Sequence, residues 1–308
     1  MRITSSNAFE TSVTQLQRRQ QALSLAQEQL TSGKRVQRGS DDPAAAARSE
    51  RALAAEARAD SNQRALDVSR NAMQLTESAL GTAGELLQQA RDLIVGAGNG
   101  SMTDSDRKIL AESIRGLRND LLAVANRSDG AGRYLFGGQG SDGPPLVDAP
   151  GGVVYAGNPG EQQASAGEAT PLTVDGNAAW LGTADPADLT AKLSVFKALD
   201  TVVSGLLTPG QTSAQVAQII SQGLAAVDAT GGTLAAWRAR AGDALNRIDG
   251  IENRLSQTKL EAQAERSKAE DLDLLSAISD VQNQKTGYDA ALKMYSMVQR
   301  MSLFDYLK

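Results

Sequence analysis

Apolar positions recur every seven residues along the first hundred residues of the chain. Leu16, Leu23 and Leu30 open the series, and Leu66, Met73, Leu80, Leu87 and Ile94 resume it beyond an alanine-rich stretch. A seven-residue apolar repeat in a polar background is the seam of a helix packed lengthwise on a partner. Thr31-Ser32-Gly33 stops the first helix. Ser40-Asp41-Asp42-Pro43 starts the second: Asp42 can cap free N–H groups, and Pro43 loses nothing at the first helical position. Gly96, Gly98 and Gly100 end it. Thr103-Asp104-Ser105-Asp106 approximates a capping box, and the helix it opens carries Leu110, Ile114, Leu117, Leu121 and Val124 at alternating four and three spacing.

The last third of the chain has the same rhythm. Trp237, Ala241, Ala244, Ile248, Ile251, Leu255, Thr258 and Ala262 hold one phase, and Leu274, Ile278, Val281, Tyr288, Leu292 and Tyr295 a shifted one, with Lys285 interrupting. Unbroken from 234 to 303, such a helix spans about 100 Å at ~1.5 Å per residue. Two shorter helices are expected over 186–207 and 212–229, separated by Thr208-Pro209-Gly210. Between the helical arms the pattern changes. Seven of the eight prolines lie between Pro144 and Pro209, and the apolar runs Val153-Val154-Tyr155 and Pro171-Leu172-Thr173-Val174 alternate with GG, NPG and DG turn signals. That predicts a small, turn-rich β unit.

The fold class is therefore mainly α: a long antiparallel helical rod with a small β-rich insert mid-chain. Residues 1–38 and 272–308 form a terminal coiled-coil assembly domain, 39–140 and 186–271 a helical rod domain, and 141–185 an outer insert. An antiparallel path brings the two termini to one end. The first forty residues carry six basic and two acidic side chains, and residues 270–308 carry four basic and six acidic ones, a balance that favours their pairing.

Composition narrows the chemistry. The 308 residues include no cysteine and no histidine, which removes thiolate nucleophiles, imidazole bases and the commonest metal ligands. Aromatic content is 4% against 41% for all hydrophobic residues, so the apolar mass suits narrow helical seams. With a net charge of −5 and no basic stripe, nucleic acid is a poor partner. No apolar run reaches the roughly 20 residues that span a bilayer, and the N-terminus lacks the apolar core of a cleaved signal peptide. No cofactor, metal or catalytic constellation is expected. Asp41-Asp42 reads as a helix start and not as a paired-carboxylate site, because adjacent side chains diverge and no third ligand is near. Gly137-Gly138-Gln139-Gly140 lacks the Lys-Ser/Thr of a phosphate loop and reads as an exit turn.

Leu30-Thr-Ser-Gly-Lys-Arg-Val36 followed by Ser40-Asp-Asp-Pro-Ala-Ala-Ala-Ala-Arg48 resembles the N-terminal signature of the bacterial flagellin superfamily. Filament-building members usually read DDAAGLAI where this chain has Asp41-Asp42-Pro43-Ala44-Ala45-Ala46-Ala47-Arg48. The ending Ser302-Leu303-Phe304-Asp305-Tyr306-Leu307 likewise resembles the hook–filament junction branch, and Tyr134-Leu135-Phe136-Gly137-Gly138 resembles the point where that branch leaves its helices for an outer domain. The resemblance implies a non-enzymatic adaptor ring between a hook-side junction protein and the first flagellin subunits. It also implies export to the cell exterior as an unfolded chain, with an export chaperone on the C-terminal region. Leu16, Leu23, Leu30, Leu292, Tyr295, Leu303, Phe304 and Tyr306 are the expected subunit-interface residues, since an apolar cluster at a chain end marks an interaction site. The alternatives are a flagellin that builds the filament itself, an unrelated coiled-coil adaptor, or an enzyme.

Overall fold

A computed structural model describes the backbone over residues 2–306, apart from Ala166 and Leu189, and the side chains over residues 10–297 with the same two exceptions. The chain is mainly α. Helices α1 (Arg2–Ser32), α2 (Pro43–Ala97) and α3 (Asp104–Ala125) precede six short strands, and α4 (Val195–Leu207), α5 (Ser213–Glu270) and α6 (Leu274–Tyr306) follow them. By internal contact the chain divides into two units, residues 1–59 with 257–308, and residues 60–256.

In the larger unit the seven-residue seam is the core. Leu66, Met73, Leu80, Leu87 and Ile94 of α2 are all buried, as are Ala241, Ala244, Ile248 and Ile251 of α5. The two helices run antiparallel, with Arg91–Asp228, Glu77–Arg238 and Arg70–Glu252 ion pairs stepping along them. Helix α3 starts as its motif predicts: Thr103 Oγ1 accepts from the Asp106 N–H at 3.2 Å, and Asp106 Oδ2 accepts from the Thr103 N–H at 3.0 Å. Its Ile114 and Leu121 are fully buried, and it packs on α4.

The insert is three separate antiparallel pairs: β1 (Leu146–Ala149) with β2 (Gly152–Tyr155), β3 (Gln163–Ser165) with β4 (Ala169–Pro171), and β5 (Thr183–Ala184) with β6 (Lys192–Leu193). Two-stranded pairs are marginal alone, and these are held by an aromatic stack. Phe136 meets Trp180 edge-on at 5.2 Å, Trp180 stacks on Phe196 at 6.0 Å, and all three are fully buried. Leu135 and Phe136 of the exit motif thus anchor the insert. Gly138 adopts φ +63°, and a Cβ there would collide with the Asn158 carbonyl, so the turn needs glycine.

Three helix boundaries differ from the sequence expectation. Helix α4 begins at Val195 and not near 186, because Asp185 and Asp188 accept from the Ala187 and Thr190 N–H groups, local bonds that compete with helix. Ser194 then caps α4 through the Lys197 N–H at 2.9 Å. Helix α5 runs unbroken through Gly231-Gly232, so 212–229 is no separate helix. Two glycines cost about 2 kcal/mol of helix propensity, and burial of Val227 and Leu234 on either side offsets it. The helix expected over 234–303 breaks at residues 271–273. Asp273 Oδ1 accepts from the Leu275 N–H at 3.1 Å and starts α6 afresh. The opening of α5 at Ser213 falls where it was expected, with Thr212 and Gln215 bonding reciprocally.

Candidate assembly surface

In the smaller unit α1 and α6 pack along each other. Lys34 pairs with Asp271 in an antiparallel bridge and Gly287 lies against Arg19, so the two helices run in opposite directions. Leu16, Leu23 and Leu30 lie half-buried on α1. On α6 the buried or half-buried positions include Ala277, Val281, Gln284, Tyr288, Ala291 and Tyr295, at alternating four and three spacing, with Gly287 and Ser296 beside them. The expected seam is therefore corrected in phase: Val281, Tyr288 and Tyr295 belong to it, whereas Leu274, Ile278 and Leu292 lie on a neighbouring exposed stripe. The buried stripe is the one that packs on α1, and that contact decides the phase.

What remains outside is apolar. Leu275 is 82% exposed, and Leu274, Ile278, Leu292, Met294 and Met297 are also open to solvent on α6, with Leu25 on α1. A two-helix pair has one buried stripe and cannot cover more. The backbones of Leu303, Phe304 and Tyr306 belong to the last turns of α6, while their side chains lie outside the described residues. The structure thus brings Leu16, Leu23, Leu30 and Tyr295 into one half-buried seam and leaves Leu292 facing solvent.

The base of this pair is a joint that sequence patterns did not mark beyond Asp42 and Pro43. Asp42 Oδ1 accepts from the Ala45 N–H at 3.0 Å, and α2 starts at Pro43. That backbone bond, with the Arg35 guanidinium at 3.2 Å, holds the Asp42 carboxyl below its usual range. The Arg38 N–H, with that of Gln37, does the same for Asp41. Glu270, at the end of α5, is held below its usual range by the Ser49 hydroxyl and by Lys34. These groups cap, pair and position. Among the described residues no group of three or more acidic side chains is placed to hold a metal ion, and no helix is long and apolar enough to cross a membrane.

Known proteins resolve the family. Residues 3–141 match the bacterial flagellin N-terminal helical region. The flagellar hook-associated protein 3 of Escherichia coli K12 is 30% identical over 91% of this chain and 92% of its own length, whereas a Listeria monocytogenes flagellin of similar coverage, 91% and 90%, is 23% identical. In fold, the crystal structure of Xanthomonas campestris FlgL superposes with a TM-score of 0.61 at 21% identity, covering 71% of this chain and 99% of that one. Taken with the helix-start motif at Asp42-Pro43 and an unpaired apolar stripe on α6, a full-length relationship at this level places the chain in the flagellar hook-associated protein 3 family.

Proposed function

We propose that this chain is a structural subunit of the bacterial flagellum that forms the adaptor junction between hook and filament, on which flagellin polymerises. The carrying observation is the relationship to hook-associated protein 3 over more than nine-tenths of both chains. A flagellin role is the weaker reading, since identity to a flagellin falls at equal coverage and Pro43 stands where filament subunits usually carry alanine.

In this reading residues 1–38 and 272–308 are the assembly domain, 39–140 with 186–271 the supporting helices and 141–185 the outer insert. Subunits meet as a ring. The exposed stripe of Leu274, Ile278 and Leu292 supports contact with neighbouring chains, because each large apolar side chain removed from water contributes roughly 1.5–3 kcal/mol. Leu303, Phe304 and Tyr306 extend the surface, and Leu16, Leu23, Leu30 and Tyr295 hold the pair that presents it. One side of the ring meets the hook-side junction protein and the other meets flagellin. The chain acts at the cell exterior, with an export chaperone on its C-terminal region, and its role is structural, with no reaction catalysed.

Polymerisation of the purified chain tests this. Under salt conditions that polymerise flagellin, the chain alone stops at short, closed assemblies and nucleates added flagellin. Long filaments from the chain alone would make it a flagellin.

A further inference from the structure

Two breaks in the helices meet at one place in the smaller unit: residues 33–42 between α1 and α2, and residues 271–273 between α5 and α6. The Arg35 and Val36 N–H groups both donate to the Glu270 carbonyl, at 2.7 and 3.4 Å, and the Leu272 N–H donates to the Gly33 carbonyl at 3.0 Å. The Glu270 carboxylate is fully engaged. Oε2 accepts from Lys34 Nζ at 2.9 Å in the linking loop, and Oε1 accepts from the Ser49 hydroxyl of α2. Arg35 bridges onward, from the Ala269 carbonyl at 2.9 Å to Asp42 at 3.2 Å. One residue thereby ties together the end of α5, the loop after α1 and the first turns of α2.

Apolar packing here is too small to do the same work. The local core is Val36, Ala45 and Ala269, with Ala46 beside it, and alanines carry little shape to fix an angle. The angle matters because α1 has 31 residues, a lever of about 45 Å at ~1.5 Å per residue. A tilt of about 10° at its base moves its far end by roughly 8 Å, whereas apolar contacts are lost within about an ångström.

We propose that Glu270 is a positioning residue for assembly: with Lys34, Arg35 and Ser49 it sets the direction in which the α1–α6 pair leaves α2 and α5, and so presents the assembly surface in one orientation. The inference rests on the junction role proposed above. It makes Glu270 matter through geometry, without contact to any neighbouring subunit.

The joint supplies its own test. The bonds Leu272 N–H to Gly33 and Arg35 N–H to Glu270 flank the Lys34–Asp271 pair, which makes it a closely spaced, non-hydrogen-bonded antiparallel pair with Cα atoms about 4.5 Å apart, within disulfide range. The chain has no cysteine of its own. Cells making Glu270→Ala as their only copy should carry about tenfold fewer filaments, because Lys34 is half exposed and solvent screening discounts the two lost bonds to about 1.4 kcal/mol, while the larger unit of the purified monomer melts near the parent temperature. Adding Lys34→Cys and Asp271→Cys should restore filaments in oxidising medium and lose them again with reductant. Normal filaments with Glu270→Ala would overturn the proposal, and so would a defect that the closed disulfide does not repair, since Glu270 would then contact a neighbour directly. If the alanine variant does not fold, Glu270→Gln, which keeps an acceptor for Ser49, is read in the same way. Failure of the junction role itself has a different signature: filaments would then persist in cells lacking the whole gene.

Discussion

Replacing Arg118 by methionine should loosen the insert from the helices beneath it. Arg118 on α3 is 7% exposed, yet sequence periodicity gives it no role. Its guanidinium donates to Asp148 of β1, with Nη1 at 2.6 Å from Oδ2, and to Asp200 of α4 at 3.1 Å from Nε. It also lies over the Phe196 ring at 5.6 Å from the centroid. Methionine keeps most of the apolar stem and removes the charge. Losing charge-assisted bonds to both carboxylates costs about 1.5–3 kcal/mol each when fully buried. Asp148 and Asp200 are roughly half exposed and can rehydrate, so the discounted total is about 2–3 kcal/mol, the cation–π contact included. For a unit of this size that lowers the melting temperature by about 4–12 °C. The effect depends on pH. The Arg118 hydrogen bond holds the Asp148 carboxyl below its usual range. Its stabilisation is therefore full above the ordinary aspartate pKa near 4 and disappears as pH falls through the lowered folded value. Parent and Arg118→Met should differ at pH 7 and converge in strong acid. Thermal melting at both pH values, with hydrogen exchange on residues 146–155, reads this directly. Equal melting at pH 7, or a difference that persists unchanged in acid, would refute the clamp.

Other outcomes follow from the same packing. Leu80→Asp places an unpaired carboxylate in a seam position that is 2% exposed and should abolish cooperative melting of the larger unit; an unchanged melting curve would show that the seam is elsewhere. Gly138→Ala should cost about 1–3 kcal/mol from the positive φ and the collision with Asn158, seen as a lower urea midpoint, with Gly143→Ala, which has ordinary φ and meets no neighbour, as a control. The terminal segments 1–38 and 272–308 should exchange their amides quickly in the monomer and slowly after assembly, because a two-helix pair with an open apolar stripe gains most of its stability from partners. Replacing Leu303, Phe304 and Tyr306 together by alanine should leave monomer melting nearly unchanged and abolish filament attachment; a loss of several degrees would assign them to the monomer's own core.

Much of the helical plan could be read from spacing, because long seams repeat one physical requirement many times. Leu66 through Ile94 recur seven apart and are buried throughout, and the Thr103–Asp106 box forms as its residue types predict. Helix breaks were harder to read. The helix expected over 212–229 continues through Gly231-Gly232, since packing on both sides outweighs local propensity. Asp273 looked like one more acidic residue on a long helix and instead caps a new one. Its position before Leu274-Leu275 was the available signal. The aromatic stack of Phe136, Trp180 and Phe196 joins residues far apart in sequence, as do Arg118 with Asp148 and Lys34 with Glu270. Pairings of that kind have no period and carry no local mark. The assembly surface was legible as a region, from apolar residues at both chain ends, but which face of α6 is open depended on which stripe packs on α1.

The central claim is that this chain joins hook to filament, and imaging flagella on cells that lack its gene tests it most directly. Hooks without filaments, flagellin shed into the medium, and full recovery when the intact chain is supplied in trans are the expected results. Normal filaments on such cells would contradict the junction role. So would filaments that are absent because no flagellin is made or exported, since the chain would then act upstream of assembly and not as the surface on which flagellin polymerises.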